Sequence, residues 1–122
     1  VLDSFPQAVF WKDVHSVYQG CNQNWATIAG ISNPQEIVGK TDMDLWHSPE
    51  DAESYWELDQ EIIASGVVQR NILTSRRDRN GDQIWFNATK IPIYSANQTI
   101  IGILCMFDPI IEQHRATELN SS

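Results

Sequence analysis

The chain has 122 residues, 42% of them hydrophobic, which suffices for one domain with an ordinary apolar core. Its 8 Lys and Arg stand against 16 Asp and Glu, and a net charge of −8 argues against nucleic-acid binding, which needs clustered cations. There is no run of about 18 apolar residues, so no segment is read as spanning a membrane.

Two Cys, Cys21 and Cys105, make no disulfide framework and point to a reducing, cytoplasmic setting. The chain does not begin with Met and reads as a piece of a longer protein. Val1–Gln7 is a lead-in. Ala8–Asp13, with Val9, Phe10 and Trp11, predicts a first strand, and Ser16–Cys21 a second. Asn22 is placed as the N-cap of a helix over Gln23–Ala29 that ends at Gly30. Asn33-Pro34 opens a further turn of helix, closed by Gly39, and Thr41–Trp46 a single turn.

Ser48 caps the longest helix, Pro49 to about Ala64, with Asp51 at the capping-box site. Ala52, Tyr55, Trp56, Asp59, Ile62 and Ile63 form its inward stripe. Asp59 is the odd member, and the plain expectation is that it accepts backbone N–H bonds from a nearby loop. From Thr41 to Glu61 there are eight carboxylates and no Lys or Arg, read as a solvated acidic face.

Arg70–Arg77 and Gln83–Tyr94 are strands joined through Asn80-Gly81, the strongest short-range hairpin signal in the chain. Thr99–Asp108 is the last strand, and Ile110–Leu119 a helix leaving the domain. These strands are apolar on both faces. Ile84, Phe86 and Ala88 share one side of the fourth, and Trp85, Ile91 and Ile93 the other. In the fifth, Ile101, Ile103, Cys105 and Phe107 oppose Ile100, Leu104 and Met106. A sheet covered on one side alone would alternate with polar residues, so a partner subunit or flanking helix is expected on the second face.

Several ordered pieces carry a family resemblance: Val9-Phe10-Trp11-Lys12-Asp13, Gly20-Cys21-Asn22, Trp25-Ala26, Ala29-Gly30-Ile31, Glu36 to Asp42, Asp44-Leu45-Trp46, Asn80-Gly81, Gly102 and Phe107-Asp108. From Ser4 to Ile111 the chain resembles a PAS domain of the kind found in bacterial multi-domain sensor kinases. The resemblance implies an α+β fold, a five-stranded antiparallel sheet in the order 2-1-5-4-3 with short helices over one face. It implies a PAS domain over residues 1–111 and a linker or signalling helix from 112 to 122. It also implies a non-catalytic sensory module of a signalling protein, a histidine kinase or a cyclic-dinucleotide enzyme. That module would bind a small ligand or partner, form a homodimer through the outer sheet face or flanking helices, and adjoin further signalling domains. Asn22 and Asp108 fall at family positions, but the closing motif here is Asp108-Pro109-Ile110, and Pro109 offers no amide donor.

Cofactor chemistry is tested against the residues. A light–oxygen–voltage flavin reaction needs a Cys within Gly39–Trp46, and none is there. Haem needs an axial ligand, for which the sequence offers His15 in the first turn and His47 just before the long helix, so a haem-based gas or redox sensor stands as a further alternative; His114 lies past the sheet. Asp42-x-Asp44 is a spacing common by chance, and no metal site is assigned. The candidate ligand pocket is Phe10, Trp25, Ile28, Trp46, Tyr55, Trp56, Asp59, Ile63, Phe86, Ile103 and Cys105, between helices and sheet. The competing reading is that these side chains fill the core, giving a structural dimerisation spacer.

Overall fold

The computed structural model describes residues 7–45, 48–77 and 80–110. The elements run β1 (Ala8–Asp13), β2 (Tyr18–Cys21), α1 (Gln23–Ala29), a 3-10 turn (Pro34–Ile37), α2 (Asp42–Leu45), α3 (Pro49–Ser65), β3 (Gln69–Arg77), β4 (Gln83–Tyr94) and β5 (Ile100–Pro109). The strands form one antiparallel sheet in the order β2-β1-β5-β4-β3. The second strand starts two residues later than expected, because Ser16 takes a positive φ of 62° in the β1–β2 turn. The exit segment expected over Ile110–Leu119 lies outside the described residues beyond Ile110.

Strand alternation decides what the sheet buries. Phe10, Phe86, Ala88, Ile103, Cys105 and Phe107 point inward and are fully buried. Trp11 and Trp85 stand on the outer face, 37% and 42% exposed. Ile101 was expected inward with Ile103. Instead Ile93 pairs with Gly102 and Tyr94 with Ile100, so Ile101 bulges out of the ladder and is 50% exposed. Inside, Phe10 is the hub of an aromatic cluster. Its ring centroid lies 4.4 Å from Trp25, 5.2 Å from Tyr18 and 5.3 Å from Phe107, and Phe107 meets Phe86 at 5.4 Å. Such pairs add about 0.5–1.5 kcal/mol each beyond their area burial.

The two edges of the sheet differ. Along β2 the chain seals its own edge: Tyr18 N–H donates to Lys40 O at 2.8 Å and Gly39 N–H to Tyr18 O at 2.9 Å. No described strand flanks the free side of β3, where Arg70 and Arg77 are exposed.

Asn22 ties the helical layer to the sheet. Its Oδ1 accepts from Trp25 N–H at 3.0 Å, capping α1, and from Val9 N–H at 3.1 Å; its Nδ2 donates to Gln7 O at 2.9 Å. Asn22→Ala is expected to lower stability by about 2 kcal/mol, the upper end for a lost cap, since Val9 N–H loses its acceptor as well. Urea denaturation of the two proteins measures this. Ser48 caps α3, its Oγ accepting from Asp51 N–H at 3.2 Å, and Gly66 ends the helix in the left-handed conformation.

Candidate functional site

The inward face of the sheet also carries charge. Lys12 follows Phe10 by two residues on β1, and Lys90 follows Ala88 by two on β4, so both point into the interior, each 1% exposed. Arg76 enters from β3 and the Tyr18 hydroxyl from β2. The helices answer with two carboxylates: Asp42 from the first turn of α2, and Asp59 from the middle of α3.

Lys12 Nζ is shared by both. It lies 2.6 Å from Asp42 Oδ2 and 2.8 Å from Asp59 Oδ2. Asp59 also takes Lys90 Nζ at 3.3 Å and the Ser16 hydroxyl at 3.2 Å. Asp42 takes the Tyr18 hydroxyl at 2.6 Å and faces Arg76 Nη1 at 3.6 Å. The Arg76 guanidinium lies 3.5 Å from the Tyr55 ring centroid and 5.3 Å from that of Phe107. Asp59 therefore binds two ammonium groups and a hydroxyl, not the loop backbone that the sequence suggested. Removing a carboxylate from water is costly, and only this density of partners makes it tolerable.

Each shifted group is held in its paired state. Burial alone would raise the Asp42 pKa, but Lys12 and Arg76 outweigh it and hold the carboxyl well below the usual range. Burial would lower the Lys12 pKa, yet Asp42 and Asp59 raise it above 10.5. Arg76 is likewise raised, its burial overcome chiefly by Asp42. Burial, then the Asp42 charge, pushes Tyr18 well above 10.0. So Lys12, Arg76 and Asp42 stay charged and Tyr18 neutral across the neutral range; these groups form a fixed electrostatic bolt rather than a pH sensor.

Above the cluster lies a surface cleft of about 410 Å³. The β1–β2 turn supplies His15 and Ser16, the α2 region Thr41, Asp42 and Met43, and the start of α3 Pro49, Ala52, Glu53 and Trp56. Asp42 and Ser16 thus belong to both cleft and cluster. Trp56, expected on the buried stripe of α3, is 49% exposed and stands at this cleft; Met43 is 60% exposed. On the opposite side of the sheet, Trp11, Gln19, Ile93, Ile101 and Leu104 line a hollow of about 550 Å³.

The sequence-derived pocket residues divide. Phe10, Trp25, Phe86, Ile103 and Cys105 are buried in the core, with Ile28 and Ile63 packed against it. Tyr55 stacks on Arg76, and Asp59 anchors the charge cluster. Trp46 and His47 lie outside the described residues, as does His114. His15 is exposed on the cleft. Asp108 is exposed on β5, accepting from Gln7 Nε2 at 3.3 Å, and the strand runs on to Pro109. Ile110 N–H then donates to Trp85 O at 3.2 Å. Cys105 is a buried thiol that burial pushes up to about 11. At pH 8 it is expected to resist iodoacetamide until the protein unfolds, while half-buried Cys21 reacts earlier; mass mapping of alkylated peptides checks the order.

Sequence reasoning missed Lys12, Lys90, Arg76, Tyr18 and Asp42 as one interior cluster. The available signal was a Lys two residues from an inward Phe on one strand, another two from an inward Ala on a second, and an Asp on a buried helix stripe. Three misplaced charges are three partners.

A five-stranded antiparallel sheet of this order, with a short helical layer over one face and a cleft at its margin, defines the class of fold: a small α+β module. A family model described as PAS fold matches residues 2–115, and the chain belongs to that family. Solved structures agree in fold. Vibrio cholerae VqmA, studied as a dimer in the absence of its target DNA, superposes with a TM-score of 0.81 at 21% identity, over 92% of this chain and 49% of that one. VqmA bound to DPO gives 0.79 at 22% identity, over 88% and 54%. The PAS domain of Bordetella pertussis BvgS gives 0.74 at 17%, over 98% and 88%. The Cronobacter turicensis RpfR quorum-sensing receptor PAS domain, in complex with BDSF, gives 0.68 at 19%, over 90% and 99%. The chain spans about half the length of VqmA. No curated protein matches it in sequence.

Proposed function

We propose that this chain is the sensory module of a larger signalling protein, responding to a small molecule seated in the cleft between α2, α3 and the β1–β2 turn. One observation carries the reading: a single ammonium, Lys12 Nζ, holds a carboxylate of each helix, and one of those carboxylates also lines the cleft. A ligand that prefers one arrangement of α2 against α3 biases the other contacts of that ammonium, and its differential affinity for the two arrangements sets the size of the response. Lys12 is on β1, directly after Trp11, so a shift of the inner charge moves the strand that presents an indole to the outer face. That face, apolar and uncovered among the described residues, is where a second copy would dock. Residues 112–122 would begin the helix that passes the change onward.

The module performs no chemistry itself in this reading. The likeness to VqmA favours a DNA-binding segment elsewhere in the full protein; the resemblance to sensor kinases favours a kinase. The acidic composition of residues 1–122 argues against their holding DNA directly. A second reading, a ligand-free dimerisation spacer, draws support from the aromatic cluster that packs the interior.

Native mass spectrometry of the protein as purified, repeated after denaturation, separates the two. The sensory reading expects a small-molecule mass excess in the native spectrum alone, or a thermal shift with a metabolite panel. A dimer with no excess and no shift from any compound would establish the spacer instead.

A further inference from the structure

Resting on the cleft as the sensing site, we infer the class of molecule it takes: a small organic cation, an ammonium or amidinium group attached to an apolar or aromatic body. Three observations converge. The walls are apolar, formed by Pro49, Ala52, Met43 and Trp56, and two of these, Met43 and Trp56, are large side chains left 60% and 49% exposed beside a concave surface. An indole face is the best of the side-chain surfaces for a cation. Among the described residues the lining holds two carboxylates, Asp42 and Glu53, one imidazole, His15, and no Lys or Arg, and α3 exposes Glu50, Asp51, Glu57 and Glu61 to solvent nearby. An anion entering would meet this field with only the His15 imidazole, at the rim on the β1–β2 turn, to answer it among the described residues.

The interior fixes the orientation. Asp42 is already engaged by Lys12 and Tyr18, each at 2.6 Å, and Lys12 and Arg76 beneath it repel a second cation. The ligand's charge therefore faces outward, between Glu53 and the Trp56 indole, and its apolar body lies inward against Ala52 and Met43. The hydroxyls of Ser16 and Thr41 stand at the same cleft for any hydrogen-bonding group on that body. This orientation leaves the ion pairs of the cluster intact, so the ligand acts on the spacing of α2 and α3 rather than by displacing Lys12.

The test compares phenethylammonium with phenylacetate and benzyl alcohol, probes with a similar body and different charge, by 1H–15N correlation spectra of the whole chain. The Trp56 indole N–H is identified from Trp56→Phe. Phenethylammonium is expected to shift the Trp56 indole and the Ala52 and Glu53 amides in a saturable way, with phenylacetate weaker by roughly tenfold or more. Glu53→Gln, a surface change that leaves the fold intact, is expected to weaken the cation several-fold and leave benzyl alcohol unaffected. Equal or tighter binding of phenylacetate or benzyl alcohol would overturn the cationic class while leaving the cleft as a site. If no probe moves Trp56, Ala52 or Glu53, the inference falls, and the native mass measurement then decides whether the sensing reading falls with it.

Discussion

Lys12→Met is expected to destabilise the domain by about 3–5 kcal/mol at neutral pH, the cost of removing the nearest cation of two buried carboxylates and leaving Asp59 with Lys90 at 3.3 Å and Asp42 with Arg76 at 3.6 Å. The magnitude is at the high end because the ammonium and the Asp59 carboxylate are 0% exposed and one Nζ serves two acids. Chemical denaturation as a function of pH gives the test its second dimension. The Asp42 pKa is depressed on folding, so its ion pairs contribute stability above the ordinary carboxyl range, and that contribution is lost as pH falls through the folded value. The Lys12 pKa is raised, so its contribution is present below 10.5 and is lost as pH climbs through the folded value. The gap between wild type and Lys12→Met is therefore widest near neutrality. It narrows in acid, where Asp42 of the variant, having lost its closer cation, takes up a proton, and again in strong alkali. A gap that stays constant with pH would show that Lys12 contributes through packing of its methylene chain instead.

Gly102→Ala is the second large effect. A Cβ at Gly102 would lie 2.2 Å from the backbone carbonyl oxygen of Lys12 and 3.5 Å from Asp13 Cα. The clash is with main chain, so no rotamer change relieves it; β1 and β5 must move apart where Asp13 pairs with Gly102. The expected loss is about 3 kcal/mol, the upper range for overpacking. The contrast is Gly20, where the three atoms nearest an added Cβ all belong to the Trp11 ring, the closest at 2.2 Å. That indole is on the outer face and can swing away, so Gly20→Ala is milder and registers as a change in Trp11 fluorescence. Thermal unfolding of both variants side by side tests the difference.

Much of the architecture was legible because local chemistry and global fold agree here. Asn22, Pro34, Ser48 and Gly66 are strong punctuation, and they mark the helices within a residue or so. The strand order came through the family resemblance; antiparallel pairing alone permits several. The sheet's outer apolar face was legible from Trp85, Ile91 and Ile93. What pattern reading could not supply was the interior charge. A Lys in a strand is ordinarily counted with the solvent face, and Lys12 sits beside Asp13 in a stretch that looks like a strand end. Its burial depends on partners 30 and 47 residues away in α2 and α3, a distance no periodicity spans. Ile101 failed for a related reason: one bulged residue reverses the facing of its neighbourhood, and the bulge is set by pairing with Tyr94, not by the sequence around Ile101.

With no described strand beyond β3, any strand-to-strand association there would depend on the medium as well as on the chain. Arg70 and Arg77 stand at that margin, so two copies approaching strand to strand bring like charges together. In dilute buffer of about 0.15 M salt that repulsion reaches roughly 8 Å, and in 1 M salt only about 3 Å. In brine the same margin would be a row of amides and carbonyls with its charges screened, and a pairing discouraged at about 0.15 M salt would become one that protein concentration could drive.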